Sequence, residues 1–367
     1  MSYNRENNST KDICFVIHSL QAGGMERVMS ELLNFFAAKK EYRVHLVLYG
    51  IKRDIFYTID NRIIVYRPDF QFDNSRRLQS TIKTHFFLRK IIKKINPISV
   101  LSFGERWNSM VLLALYGTKI PVYVSDRAQP DKSLGKLHDT LRIFLYPKAK
   151  GIIVQTQKAK NIFKRFYQHD NFKVIGNPIR QISSNNEVRE NSILMVGRYI
   201  QSKQQDVLIE IFSKLNAPDW KLVLVGYDHL KQKNQEKWEL LAADLKVSDR
   251  VIFAGKQENV EYYYNTSKVF AFSSASEGFP NVIGEAMSAA LPIVAFDCIA
   301  GPSDLIHDSV NGFLIPLGDK DLFAKRLQFF VDNPHVIVSM GKKSKEFIAE
   351  FELNYICTEF EKFIVSK

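Results

Sequence analysis

The sequence predicts an α/β protein made of two doubly wound, parallel-sheet domains. Three observations carry that expectation. At 367 residues the chain exceeds the usual span of one domain and suits two. Short, nearly unbroken apolar runs alternate with helix-length amphipathic stretches, as parallel strands buried on both faces require. The alternation stops at a polar, turn-rich segment near residue 183 and then begins again.

The first series of strand-like runs is Ile13–Ile17, Val44–Tyr49, Ile63–Tyr66, Ile98–Ser102, Val122–Ser125 and Gly151–Val154. The amphipathic stretches Glu26–Lys39 and Arg76–Ile95 lie among them. Asn177-Pro178 closes the series, and Ser183–Asn191 has the composition of a linker. The second series is Ile193–Val196, Lys221–Val225, Val251–Phe253, Val269–Phe272, Ile293–Phe296 and Gly312–Ile315. In such folds ligands bind outside the strand C-terminal ends, so a cleft shared by both domains is the expected site.

Composition narrows the function classes. A hydrophobic fraction of 46% with 12 Pro and 17 Gly fits a globular chain. The net charge of +12 is unevenly spread: residues 1–180 hold 31 Lys/Arg and 14 Asp/Glu, net +17, and residues 181–367 hold 20 and 25, net −5. Such asymmetry points to an anionic partner. Met1 to Thr10 is polar, so no secretory signal is expected, and no apolar run is long enough to span a bilayer. Cys14, Cys298 and Cys357 lie far apart and read as buried, reduced thiols of a cytoplasmic chain. The eight histidines show no ligand spacing, and no RNP, zinc-finger or helix-turn-helix pattern accompanies the basic charge, which argues against nucleic acid.

Three segments carry chemistry. The run Ile13–Ile17 leads into Gly23-Gly24 and a helix start at Met25-Glu26-Arg27, where backbone N–H groups could approach a phosphate; a plain tight turn explains a Gly pair equally well. The dinucleotide pattern GxGxxG is absent there and at the start of the second series. In the second half, Val196-Gly197-Arg198 followed by Lys203 forms a two-cation pair suited to a pyrophosphate. Finally, Glu277-Gly278-Phe279-Pro280-Asn281-Val282 leads into Glu285, placing two carboxylates eight residues apart around a helix start. Asp319-Lys320-Asp321 imitates a metal-binding DxD, but its position before Leu322–Val331 reads as a helix cap with first-turn acids.

Taken in order, these segments resemble the family 4 glycosyltransferases, retaining enzymes of GT-B fold, and in particular bacterial polysaccharide and oligosaccharide members. The resemblance spans nearly the whole chain, including Asn177-Pro178 and Gly301-Pro-Ser-Asp-Leu-Ile306. It implies an acceptor-binding domain over 1–180, a nucleotide-sugar-binding domain over 181–345, and a C-terminal helix over 346–367 packing back on the first. It also implies that Arg198 and Lys203 hold the donor diphosphate, Glu285 binds ribose hydroxyls and Glu277 faces the transferred sugar. Gly278, Phe279, Pro280, Asn281 and Val282 would meet sugar and phosphates, Lys256 and Gln257 the base, and Gly23 and Gly24 the phosphates. No cofactor and no metal are implied. UDP is the favoured nucleotide and GDP the second.

Two departures stand out. The family usually has Gly-x-Gly after the Lys221–Val225 run, where this chain has Gly226-Tyr227-Asp228-His229. Many relatives have a histidine after Val122–Ser125, where this chain has Asp126-Arg127; these two are expected by the acceptor or the transferred sugar. The acceptor is read from the basic half. Arg76–Ile95 places Leu78, Ile82, Phe86, Ile91 and Ile95 at near-helical spacing among seven cations, which suggests an anionic membrane surface or a lipid-linked pyrophosphate acceptor. The expected setting is therefore cytoplasmic, peripheral at the inner face of the membrane. A sugar-nucleotide epimerase of the same fold, and a non-catalytic sugar-nucleotide binder, are the competing readings.

Overall fold

A computed structural model describes residues 10–183, 187–228 and 232–366. Residues 1–9 of the polar N-terminus, 184–186 of the expected linker, and His229 lie outside them. The chain divides into two compact units, Met1–Pro178 with Leu353–Lys367, and Ile179–Glu352.

The first unit runs β1 (Lys11–Ile17), α1 (Gly24–Ala38), β2 (Tyr42–Leu48), β3 (Ile64–Tyr66), α2 (Arg77–Ile95), β4 (Ser99–Phe103), α3 (Asn108–Leu115), β5 (Val122–Ser125), α4 (Lys136–Leu145), β6 (Gly151–Val154), α5 (Gln157–Phe166) and β7 (Phe172–Val174). Its strands form one parallel sheet in the order β3-β2-β1-β4-β5-β6-β7. The order reverses between β1 and β4, so their C-terminal ends flank a topological switch point. The edge strand β7 has no counterpart among the expected strands, because Phe172-Lys173-Val174 is short and polar at its centre.

The second unit runs β8 (Ser192–Val196), α6 (Gln205–Ser213), β9 (Lys221–Val225), α7 (Asn234–Asp244), β10 (Val251–Gly255), α8 (Val260–Thr266), β11 (Val269–Phe272), α9 (Asn281–Ser288), β12 (Ile293–Phe296), α10 (Pro302–Leu305), β13 (Gly312–Ile315), α11 (Lys320–Asp332) and α12 (Pro334–Ile348). The parallel order β10-β9-β8-β11-β12-β13 reverses between β8 and β11. Both faces of this sheet are dry. Ile193 and Met195 join one apolar cluster with Leu222, Leu224 and Phe212, while Leu194 joins the other with Val223, Phe270 and Ile283. Alternate side chains therefore bury on opposite faces, which is why the strands read as unbroken apolar runs.

The last helix, α13 (Leu353–Val365), returns to the first unit. Phe360 meets Phe103 and Phe363 meets Tyr123, with ring centroids 6.1 and 5.3 Å apart. Glu361 pairs with Lys39 and accepts from the Tyr42 hydroxyl, and Glu359 pairs with Lys173. The boundary expected between 345 and 346 falls inside α12, so residues 346–352 belong to the second unit, as do Ile179 and Arg180.

Helix α2 corrects the reading of its apolar residues. At about 100° per residue, the five-residue step from Phe86 to Ile91 turns the helix by roughly 140°. The five residues thus lie on two faces. Ile91 and Ile95 pack toward the core beside buried Ser80, Thr84, Leu88 and Ile92. Leu78, Ile82 and Phe86 point outward, 76, 48 and 63% exposed.

Candidate functional site

The switch point of the second unit collects the charged motifs. Strand β8 leads into Gly197-Arg198, and β11 leads into the loop that carries Glu277. Between β8 and α6 a short 3-10 turn, Gln201–Lys203, turns the Lys203 side chain back over Gly197. The Ser273 hydroxyl contributes by donating to the carbonyls of Lys203 and Gln204, 3.0 and 2.8 Å away. Ala275 N–H donates to the Ser202 carbonyl, tying the two loops together. Lys203 Nζ forms an ion pair with Glu277 Oε1, both side chains mostly buried, and stands 5.9 Å above the Phe272 ring. Arg198 is exposed and makes no ion pair among the described residues.

Glu285 sits in the second turn of α9 and accepts a 2.9 Å hydrogen bond from the Tyr264 hydroxyl. That phenol is held well above its ordinary pKa, first by burial and then by the Glu285 charge, so it stays a donor. Phe279 and Pro280, which lead into α9, are buried, and Phe279 packs on Phe351 with centroids 5.8 Å apart. Asn281 and Val282 open the helix; Asn281 N–H donates to the Phe279 carbonyl and Ile283 N–H to the Pro280 carbonyl, 3.1 and 2.9 Å away. Lys256 and Gln257 follow β10; Lys256 reaches over the Tyr227 ring, and the Gln257 amide donates to the Ala254 carbonyl. Behind the site Cys298 is buried, and burial, then Glu277, raise its thiol to about 12. Cys14 and Cys357 are likewise free and buried.

The departure at Gly226 has a clear local geometry. A Cβ there would lie 1.9 Å from the Gly197 carbonyl oxygen, so only glycine lets β9 pass the end of β8. Two residues on, Asp228 accepts from the N–H groups of Asn234 and Gln235, 2.7 and 3.2 Å away, at the start of α7. Asp319 accepts from Leu322 N–H at the start of α11, and Asp321 pairs with Lys214, so this DxD is a helix cap as expected.

In the first unit, Gly23-Gly24 opens α1 beside its own switch point. The Tyr57 hydroxyl clamps Gly23, accepting from its N–H at 3.0 Å and donating to its carbonyl at 2.8 Å. Asp126 and Arg127 follow β5. Asp126 is buried, and its carboxylate is fully engaged by protein: it pairs with Arg142 and accepts from Asn108 Nδ2 and the Tyr146 hydroxyl, 2.8 and 2.6 Å away. A sugar could reach it only by displacing one of these partners. Burial opposes the charge of Arg142, but Asp126 and the nearby phenols hold its pKa above the ordinary value. Arg127 donates to Asn177 Oδ1 at 2.6 Å and lies 4.3 Å from the Phe103 ring; burial lowers its pKa to about 9, with Asp126 opposing.

Sequence reasoning missed Tyr57, Tyr264, Asn108, Arg142 and Tyr146. None stands in a local motif. Their partners come from distant parts of the chain, so spacing alone offers no signal for them.

Comparison with known proteins agrees with this architecture. Residues 22–180 match the family model "Glycosyltransferase Family 4", and residues 179–347 match "Glycosyl transferases group 1". A GalNAc-alpha-(1->4)-GalNAc-alpha-(1->3)-diNAcBac-PP-undecaprenol alpha-1,4-N-acetyl-D-galactosaminyltransferase of Campylobacter jejuni is 27% identical, covering 96% of this chain and 98% of its own. The amylovoran biosynthesis glycosyltransferase AmsD of Erwinia amylovora is 28% identical over 83% of this chain and 86% of its own. The crystal structure of Anabaena HepE in complex with UDP superposes with a TM-score of 0.82 at 16% identity, covering 97% of this chain and all of that one. With both of its units matched in sequence and the whole chain matched in fold, this protein belongs to the family 4 glycosyltransferases and has the GT-B architecture of two Rossmann-like domains.

Proposed function

We propose that the chain transfers a sugar from a UDP-sugar to a hydroxyl of a lipid-linked glycan, with retention of anomeric configuration. The observation that carries this is the Lys203–Glu277 ion pair at the switch point of the second unit, with Arg198 just after β8 and Glu285 on the helix that follows β11. Arg198 and Lys203 would meet the diphosphate, Glu285 the ribose, and Glu277 the transferred sugar. Phe279 and Val282 would supply backbone N–H groups with Pro280 and Asn281 shaping the turn between them, Lys256 and Gln257 would border the base, and the Gly23-Gly24 turn would meet the phosphates. UDP is favoured because HepE, of the same fold, is known in complex with UDP.

In the reaction, the C1–O bond to the diphosphate breaks as the acceptor oxygen bonds to C1 from the same face. The departing phosphate oxygen takes the acceptor proton. No enzyme nucleophile is needed, unlike double-displacement glycosidases. The two cations offset the charge that develops on the leaving group, so the scheme needs no divalent ion. Asp126 and Arg127 would act by shaping the first unit near the acceptor.

The lipid-linked acceptor is supported by the Campylobacter relative, whose name places its substrate on undecaprenol, and by helix α2. Leu78, Ile82 and Phe86 form an outward apolar face among exposed Arg76, Arg77, Lys83 and Lys90. Such a helix suits peripheral attachment to an anionic leaflet, at the cytoplasmic side where nucleotide sugars are made. Among the described residues no helix is long and apolar enough to cross a membrane.

A thermal-shift panel of UDP, GDP and their sugar conjugates tests the donor. Stabilisation by UDP compounds is expected, and no stabilisation by any nucleotide would refute the donor site. Liposome flotation tests the membrane: binding to anionic vesicles is expected, lost on Leu78→Ser with Phe86→Ser. Equal, negligible binding to anionic and neutral vesicles would refute it.

A further inference from the structure

The first unit's switch point holds an aromatic assembly. His18 follows β1, and Trp107 sits in the turn after β4. Their rings are stacked with centroids 4.2 Å apart and planes 13° apart. Tyr49, at the end of β2, meets both edge-on, 5.8 Å from His18 and 6.2 Å from Trp107. Tyr49 is buried, whereas His18 and Trp107 are only half-buried.

Local sequence fixes this arrangement. A Cβ on Gly50 would stand 2.6 Å from the His18 ring, so glycine leaves the space the imidazole occupies. The turn after β4 starts at Gly104, whose φ of +105° suits glycine alone, and Trp107 N–H donates back to its carbonyl at 2.9 Å. Burial lowers the pKa of His18, so at neutral pH the stacked imidazole is uncharged. Glu105, half-buried, and exposed Arg106 precede Trp107 in the same turn, so polar residues adjoin the stack in the chain.

A half-open pair of rings with polar groups at its margin suits a pyranose. Sugar C–H faces lie against aromatic surface while the hydroxyls reach hydrogen-bonding groups at the edge. Among the chain's three tryptophans, Trp107 is the accessible one: Trp220 and Trp238 are 5 and 4% exposed in the second unit. Resting on the glycosyltransferase reading above, we propose that Trp107, backed by His18, is the platform that binds a pyranose ring of the acceptor glycan.

The test uses two probes on the intact chain: a soluble short-chain prenyl diphosphate carrying one N-acetylgalactosamine, and the same prenyl diphosphate without sugar. Tryptophan emission and Kd are read for each, and UDP affinity is measured separately by calorimetry. The sugar-bearing probe should change the emission, and the bare one should not. Trp107→Ala should abolish the change and weaken the sugar-bearing probe at least tenfold, about 1.4 kcal/mol, with UDP affinity intact. Trp107→Phe should keep its Kd within about threefold. Absence of a sugar-dependent response in the unaltered chain, or unchanged binding by Trp107→Ala, would overturn the proposal. Failure of the glycosyltransferase reading would appear instead as absence of UDP binding by the unaltered chain.

Discussion

Replacing Lys203 by methionine isolates the role of one cation. The side-chain stem can stay against Gly197, where Lys203 Cδ lies 3.7 Å from the position a Cβ would take, while the ammonium is lost. That ammonium is paired with Glu277. A diphosphate arriving at about 4 Å would gain roughly 4 kcal/mol per unit charge from it at an effective dielectric near 20. Because Lys203 must exchange Glu277 for the phosphate, the net gain is smaller. Removing one preorganised group aimed at developing charge typically costs about 2.7–4 kcal/mol of barrier, or roughly 10²–10³ in kcat. The Glu277 carboxylate, left without its cation, adds about 1–3 kcal/mol of lost stability, read as a lower melting temperature. Initial rates at saturating UDP-sugar and acceptor measure the catalytic loss on folded protein. A kcat within about threefold of the unaltered chain would refute the assignment of Lys203 to the leaving group.

Other expectations follow from single contacts. Gly226→Ala should disrupt the Gly197-Arg198 strand end, since its Cβ would lie 1.9 Å from a backbone carbonyl, and UDP affinity by calorimetry should fall by more than about tenfold. Arg142→Leu strands the buried Asp126 carboxylate and should lower stability by about 3–5 kcal/mol in urea denaturation. Glu105 has its pKa raised in the folded chain, first by burial and then by Asp126, so the folded state holds its proton more tightly than the unfolded one. Its contribution is therefore lost as pH rises through the folded value. Glu105→Gln should raise the melting temperature at pH 7.5, and the gain should vanish toward pH 4.5 and below.

Much of the fold was legible because each strand of these sheets is buried on both faces. An unbroken run such as Ile193–Val196 can hardly be read otherwise, and the break after Asn177-Pro178 separates two such series. The charged motifs at the second unit's switch point were legible as motifs for a related reason: glycine, arginine and glutamate stand at fixed offsets from strand ends. What stayed hidden depends on rotation or on distant partners. Leu78 and Ile91 look alike in sequence, yet helix α2 turns one outward and the other inward. Asp126 looked available to a ligand, but Asn108, Arg142 and Tyr146, up to 20 residues away, occupy its carboxylate. The stack of His18 on Trp107 joins residues 89 positions apart in the numbering, and no spacing rule links them.

The central claim, sugar transfer from a UDP-sugar to a lipid-linked glycan, is tested most directly by product mass and anomeric configuration. The intact chain is incubated with UDP-sugars and a prenyl diphosphate-linked glycan, and the lipid product is analysed by mass spectrometry and NMR. The account predicts a mass increase of one sugar residue, an α linkage from an α-linked donor, and loss of both signals in Arg198→Ala. Isomerised UDP-sugar with no change in the lipid, or an inverted linkage, would contradict it.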